Sequence, residues 1–137
     1  MKGFVGNIER LTIENKAFRR VLFTAKHQQL VVMRIPPGEE VGMEVHATID
    51  QFFRVEQGEA KIIMDGKEHR IPDGGTAIVP AGTTHNVINP SRGKDLLLYT
   101  VYSPPEHPPG TVHATKKEAD KAEEDEKKKK EKVAPRN

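Results

Sequence analysis

Two stretches of the 137-residue chain decide its fold: GEEVGMEVHATIDQFFRVEQG, residues 38–58, and GGTAIVPAGTTHNVIN, residues 74–89. Both contain Val, Ile and Thr, and the first also contains Phe; these residues are typical of β-strands. Both are interrupted by glycine or proline, which are typical of turns. A histidine stands near a turn in each stretch, His46 in the first and His85 in the second. The pattern predicts short strands that carry polar side chains close to their ends.

The same alternation of apolar runs and turn residues extends outward from these two stretches. The pair Asp65-Gly66 joins two of the runs and suits a type I′ hairpin turn, which needs positive φ at both central positions. No helical periodicity is found before about residue 115, so the pattern predicts an all-β barrel or sandwich. The predicted strands are residues 8–13, 17–24, 28–35, 41–46, 51–57, 59–64, 69–71, 76–79, 86–88 and 96–102.

The chain divides into a barrel domain, residues 1–115, and a charged C-terminal segment, residues 116–137. Thr115 and Glu118 match a capping box, which predicts the start of a helix. The segment has four apolar side chains and no apolar stripe. We therefore expect most of it to be a solvated helix or disordered.

Charge and composition exclude several classes of function. Nine of the 22 Lys and Arg residues and seven of the 20 Asp and Glu residues fall in 116–137, so the barrel carries 13 of each and is neutral. A neutral domain argues against binding to nucleic acid. The absence of cysteine excludes disulfides and thiolate metal sites. The N-terminus lacks the apolar core of a signal peptide, and no run approaches the roughly 18 apolar residues of a membrane span. We expect a cytoplasmic protein with no membrane partner.

Four polar side chains are predicted to converge inside the barrel. Glu44 and His46 are two residues apart on a predicted strand, so they share one face. Gln51 and His85 stand at the starts of later strands. Two imidazoles and one carboxylate with open positions suit non-haem Fe(II), and also Mn, Ni or Zn. Gln51 either adds an amide oxygen or orients another ligand. We therefore expect one divalent transition metal.

The first stretch resembles the first conserved motif of the cupin superfamily. In that motif a glycine is followed after five residues by His-x-His, then by a glutamate, and six residues later by another glycine. Here the corresponding residues are Gly38, Glu44, His46, Gln51 and Gly58. Glutamate thus replaces the first histidine and glutamine replaces the glutamate, so the carboxylate has moved from one ligand position to another.

The second stretch resembles the second cupin motif in full, with Gly74, Pro80, Gly82, His85 and Asn89 at the matching positions. The resemblance covers roughly residues 28–103. It implies a jelly-roll β-barrel and a homodimer, in which a strand within residues 8–24 exchanges between subunits and protects a sheet edge.

The ligand set is similar to that of small single-domain cupins that resemble mannose-6-phosphate isomerase, and YSPPEHPPGTVHATKKEAD looks like their C-terminal signature. This resemblance implies a metal-dependent isomerase of a sugar or sugar phosphate. We expect the catalytic group that moves the proton to be Glu44, displaced from the metal, or else a metal-bound hydroxide. The alternatives are a non-haem iron dioxygenase and a non-catalytic cupin that binds a small ligand.

Further side chains are candidates for contact with a small-molecule substrate. Arg54, Tyr99 and Phe53 are the predicted contacts, with core packing or a dimer interface as the alternative for Phe53. His107 and His113 flank Pro108-Pro109-Gly110. They either cover the barrel mouth, reach across a dimer interface or belong to a surface loop.

Overall fold

The computed structural model describes the backbone of residues 2–133 and the side chains as far as residue 129. In this part of the chain two helices flank nine strands. The helices are α1 (Ile8–Ile13) and α2 (Lys116–Val133). The strands are β1 (Arg19–Thr24), β2 (Gln29–Ile35), β3 (Asp50–Gln57), β4 (Ala60–Met64), β5 (Lys67–Ile71), β6 (Thr76–Val79), β7 (His85–Ile88), β8 (Leu96–Ser103) and β9 (Val112–His113).

Two antiparallel sheets face each other across the core. The larger sheet has the order β6-β3-β8-β2-β1-β9 and the smaller one the order β5-β4-β7. Burial of apolar side chains between the sheets is the main favourable term for folding. This arrangement confirms the predicted all-β jelly-roll barrel. The largest apolar side chains buried in the core are Tyr102, Phe53, Met33, Ile35, Ile62, Leu96 and Leu98.

Strand β3 shows how the two-residue repeat of a strand determines where its polar side chains point. Gln51, Phe53 and Val55 are buried, and the side chains between them are partly exposed on the outer face. Because successive side chains point to opposite faces, one polar residue at the start of β3 enters the barrel together with its apolar neighbours. Gln51 therefore points into the interior through the register of the strand.

The turn between β4 and β5 agrees with its prediction. Asp65 has φ of 47° and Gly66 has φ of 79°, the positive values that a type I′ turn requires. The register places Met64 opposite Lys67, so the two-residue turn joins the strands directly.

The strand predicted for residues 8–13 is wrong, because this segment is helix α1. Asn7 caps the helix by accepting a hydrogen bond from the backbone N–H of Arg10 at 3.0 Å. Ile8, Leu11 and Thr12 have the i, i+3, i+4 spacing of one helical face, and Thr12 is fully buried. The helix packs on β8, β3 and β2 and covers part of the outer face of the larger sheet.

The strand predicted for residues 41–46 is also wrong. Within this segment Glu44 makes an isolated bridge with His85, and just before it Glu40 makes one with Ile88. β1, which lies in the segment predicted to exchange between subunits, pairs with β2 and β9 of its own chain.

Helix α2 begins where the capping box predicts, although the Glu118 carboxylate binds the N–H of Ala114 and not that of Thr115. The Thr115 hydroxyl accepts from the Glu118 N–H at 3.2 Å, and the Glu118 carboxylate accepts from the Ala114 N–H at 2.8 Å. The segment nevertheless docks on the barrel, because Ala119 is only 2% exposed and belongs to the hydrophobic core. Neither helix of the described chain combines the length and the apolar character needed to cross a membrane.

We expect Gly58→Ala to destabilise the protein more than Gly66→Ala. Both glycines have positive φ, and alanine there costs about 1–2 kcal/mol. At Gly58 an added Cβ would also lie 2.9 Å from the Asp95 carbonyl oxygen, whereas Gly66 has open space. The total for Gly58→Ala is therefore about 2–4 kcal/mol. Urea unfolding measures both, and equal losses would contradict the close backbone approach.

Candidate metal centre

Backbone hydrogen bonds hold the irregular segment before β3 against β7. Glu44 and His85 each donate an N–H to the other's carbonyl oxygen, both at 2.8 Å. Two residues earlier, the Gly42 N–H donates to the Asn86 side-chain oxygen at 2.9 Å. These contacts give Glu44 and His85 fixed backbone positions, although Glu44 lies outside any regular strand.

Three ligand atoms meet at this junction. One atom each from Glu44, His46 and His85 lies within 4.8 Å of the other two, and Glu44 Oε2 is 3.1 Å from His46 Nε2. Bonds of about 2.0–2.2 Å to a shared ion hold ligand atoms roughly 3–4.4 Å apart. The site is sheltered but open to solvent on one side, since His85 is 4% exposed and the Glu44 side chain 22%.

Both imidazoles present the nitrogen that a metal would use. His85 Nδ1 lies 2.9 Å from the Thr83 carbonyl oxygen. A carbonyl only accepts, so Nδ1 carries the hydrogen and Nε2 keeps its lone pair. His46 Nδ1 lies 3.4 Å from the Glu106 carboxylate, which favours the same tautomer. Partners of this kind orient histidine ligands in metal sites.

Two of the buried polar atoms that lack a hydrogen-bond partner belong to the predicted ligands. The Gln51 amide nitrogen donates to the Thr100 hydroxyl at 3.0 Å, which leaves Gln51 Oε1 without a partner. His46 Nε2 is also unsatisfied, because its 3.1 Å contact with Glu44 lacks hydrogen-bond geometry. An unsatisfied buried group costs about 1–3 kcal/mol. His46 Nε2 is among the three clustered ligand atoms, and Gln51 lines the inner cavity beside Glu44 and His85. A cation held by the cluster would satisfy His46 Nε2, so the residues fit a divalent metal.

The electrostatics of His46 point the same way. The neighbouring Glu44 carboxylate, helped by Glu106, raises the pKa of His46 against the opposing effect of burial. A positive charge between the ring and the carboxylates, either a proton or a metal ion, is therefore stabilised.

Burial also raises the pKa of Tyr102, so its hydroxyl stays protonated and can donate a hydrogen bond.

A small inner cavity of about 10 Å³ adjoins the ligands, which is close to the space of one water molecule or ion. Its apolar wall includes Met33, Phe53 and Val87. This wall excludes bulk water from one side of the site and strengthens its electrostatic interactions.

A larger cavity of about 300 Å³ forms the mouth of the site. It extends from residues 43–46 and Glu106 to Glu123 and Glu126 on α2. Helix α2 therefore supplies part of the entrance, a role that the sequence did not indicate.

A further groove lies on the outer face near Phe4 and Phe23 and has no titratable lining residue.

The three predicted substrate contacts lie on opposite faces of the larger sheet. Phe53 lines the inner cavity, with its ring centroid 6.4 Å from that of His85. Arg54 alternates with Phe53 along β3 and contacts Glu56, at 3.0 Å between Nε and Oε1. Tyr99 is the cross-strand neighbour of Arg54. Neither Arg54 nor Tyr99 is among the residues that line the described cavities beside the ligands.

Sequence reasoning did not single out two charged residues at the barrel mouth, Arg19 and Glu106. Glu106 lies in the segment after β8, next to His107, and the inward position of Arg19 follows from the alternation of β1. Arg19, His107 and His113 line a third cavity of about 180 Å³ beneath α2. The two histidines thus lie near the barrel mouth.

We expect His85→Ala and Glu44→Ala to lose bound metal, because each removes one of three clustered ligand atoms. His27→Ala, at an exposed position, should keep the wild-type content. Elemental analysis of protein purified without chelator or affinity nickel measures this. Equal metal content in all four proteins would exclude the site.

We expect the burial of His107 to lower the free energy of unfolding of the protein in acid. Burial lowers the pKa of His107 to about 3, whereas the unfolded chain takes up a proton below about pH 6.5. The stability contribution is complete above that pH and decreases as the pH falls toward 3. Urea unfolding should therefore show a steeper loss from about pH 7 to 5 in the wild type than in His107→Gln. His27→Gln should behave like the wild type, and parallel slopes for the wild type and His107→Gln would contradict the assignment.

Comparison with known proteins identifies the family of this chain. Uncharacterized protein YrkC of Bacillus subtilis (strain 168) is 46% identical over 129 residues, and the match covers 90% of this chain and 69% of that protein. Uncharacterized protein L612 of Acanthamoeba polyphaga mimivirus is 42% identical over 113 residues, covering 80% of this chain and 70% of that protein. The crystal structure of BH2720 from Bacillus halodurans superposes with a TM-score of 0.85 at 43% identity, covering 88% of this chain and 95% of that one. Residues 31–102 match the cupin domain family, and the chain therefore belongs to the cupins.

Proposed function

We propose that this cupin is a metal-dependent isomerase of a small sugar or sugar phosphate, with one divalent transition metal held by Glu44, His46, Gln51 and His85. The observation that carries the proposal is the meeting of three ligand atoms within 4.8 Å, beside the additional carboxylate of Glu106. When bound, such an ion polarises neighbouring hydroxyl and carbonyl oxygens and acidifies the C–H between them.

Glu106 is the group that moves the proton in this proposal. Isomerisation takes a proton from one carbon and returns it to the adjacent carbon, while a second proton moves from the hydroxyl group to the carbonyl oxygen. One acid–base group can carry the proton that moves between the carbons. Glu44 lies among the ligand atoms, whereas Glu106 lines the mouth cavity outside them. Burial raises the pKa of Glu106, which brings the carboxyl group nearer the range where it both accepts and returns a proton at neutral pH.

A dioxygenase is the second candidate, because two histidines and one carboxylate also suit O₂ activation at Fe(II). Glu106 favours the isomerase, since isomerisation requires an acid–base group beside the substrate. A cupin that binds a small ligand without converting it is the remaining alternative.

We expect sugar interconversion by protein that is first stripped of metal and then supplied with Mn²⁺, Fe²⁺, Zn²⁺ or Ni²⁺. The assay uses aldoses, ketoses and their phosphates in D₂O, and deuterium should enter next to the carbonyl carbon. At saturating metal, Glu106→Gln should lower kcat by about 100-fold or more. Glu124→Gln, on the exposed side of α2, is the matched control.

The possible outcomes separate the three candidates. No interconversion with any metal would overturn the isomerase. Oxygen uptake that requires Fe²⁺ and a co-substrate would favour the dioxygenase. Saturable binding of a sugar without turnover would leave the ligand-binding cupin.

A further inference from the structure

A buried arginine lies beside the barrel mouth, and no side chain that the structure describes, as far as residue 129, forms an ion pair with it. Arg19 is 2% exposed and points inward from β1. Removing a guanidinium from water costs several kcal/mol unless a counter-charge or hydrogen bonds compensate. Its burial therefore requires an explanation, and arginine at such positions commonly binds carboxylate or phosphate.

The contacts of Arg19 leave much of its hydrogen-bonding capacity unused. Nη1 lies 3.4 Å from His113 Nδ1, and the guanidinium carbon lies 5.4 Å from the centre of the Phe18 ring. Nε is buried without a hydrogen-bond partner. Among the side chains that the structure describes, no carboxylate comes within ion-pair distance of the guanidinium. An arginine has five N–H donors, so several remain for a ligand.

The neighbouring histidines add hydrogen-bonding groups but little charge. Burial, and secondly the charge of Arg19, lower the pKa values of both His107 and His113. At neutral pH these rings are uncharged, and Arg19 carries the positive charge of this wall. His107 Nε2 also lies 3.3 Å from the Tyr102 hydroxyl. Tyr102 lines the inner cavity, so one side-chain contact connects the arginine wall to the candidate metal centre.

The cavity in front of Arg19 has two walls of opposite charge. The barrel contributes Arg19, His107 and His113, and helix α2 contributes Glu123 and Glu126. The same two glutamates line the mouth of the metal centre. They therefore lie between the arginine cavity and the mouth, and they face the guanidinium across open space rather than in a direct ion pair.

We propose that Arg19, with His113 beside it, is an anion subsite that binds a carboxylate or phosphate group of the substrate while the rest of the substrate reaches the metal centre. This inference rests on the proposed function, because it names the substrate class of the same site. In the ligand-free protein Glu123 and Glu126 are distant counter-charges, and a bound anion takes over this role.

The experiment titrates metal-free protein with inorganic phosphate and, separately, with sodium acetate at constant ionic strength. Ring NMR signals of His107 and His113 report binding at the cavity. We expect saturable shifts with at least one anion, and the comparison of phosphate with acetate identifies the preferred group. Arg19→Gln should weaken binding by about 30-fold or more, the usual cost of removing one side of a buried charge pair.

Matched variants distinguish the subsite from general charge effects. Arg20→Gln removes an exposed arginine on the same strand and should leave the affinity unchanged. Arg19→Lys keeps the charge and should retain part of the affinity, even if Arg19→Gln proves unstable. Glu123→Gln removes a competing carboxylate and should tighten binding, whereas the exposed Glu124→Gln should not.

Absence of saturable binding to both the wild type and Glu123→Gln would overturn the proposal, as would equal affinities for Arg19→Lys, Arg20→Gln and the wild type. Because these measurements use metal-free protein and no turnover, their result is independent of the isomerase assay. Anion binding without isomerisation would contradict the activity alone, and isomerisation without anion binding would contradict the subsite alone.

Discussion

The reciprocal backbone hydrogen bonds between Glu44 and His85 are the constraint on which the candidate site depends. They join a segment without regular secondary structure to the first residue of β7. Ligands to a metal must hold their positions to a fraction of an ångström, and side chains on loops rarely do so unaided. Here the loop acquires the positional accuracy of the sheet, because its backbone is bonded to a strand at the position where a ligand side chain leaves the chain.

The barrel and its ligands were predictable because local rules act on neighbouring residues. The spacing of the glycines and prolines placed the turns. Glu44 and His46 do contribute to one cluster, although residues 41–46 do not form the strand from which this was predicted. The type I′ turn at Asp65-Gly66 followed from its two residues alone. These features need no knowledge of what lies opposite them across the core.

The predictions from sequence were wrong or incomplete where contacts between distant parts of the chain determine the structure. The apolar content of residues 8–13 predicted a strand. These residues instead form a helix, whose i, i+3, i+4 face packs on the outside of the larger sheet. Ala119 was too small to register as an apolar stripe, yet it is buried. Arg19 and Glu106 are 87 positions apart in the sequence, so only the folded chain shows that both lie at the barrel mouth. No local pattern distinguishes such residues from ordinary surface charges.

Helix α2, which lines the mouth of the site, lies outside the part of the chain that matches the cupin domain family. The cupin match ends at residue 102 and begins at residue 31. Arg19, Glu106, His113 and Glu123 all lie outside that range, whereas Glu44, His46 and His85 lie within it. The candidate metal residues therefore lie within the matched domain, whereas the residues proposed to move the proton and to bind the anion lie in the segments that flank it. Changes in the flanking segments alone could alter which small molecule the protein binds. Two cupins with the same metal residues therefore need not share a substrate.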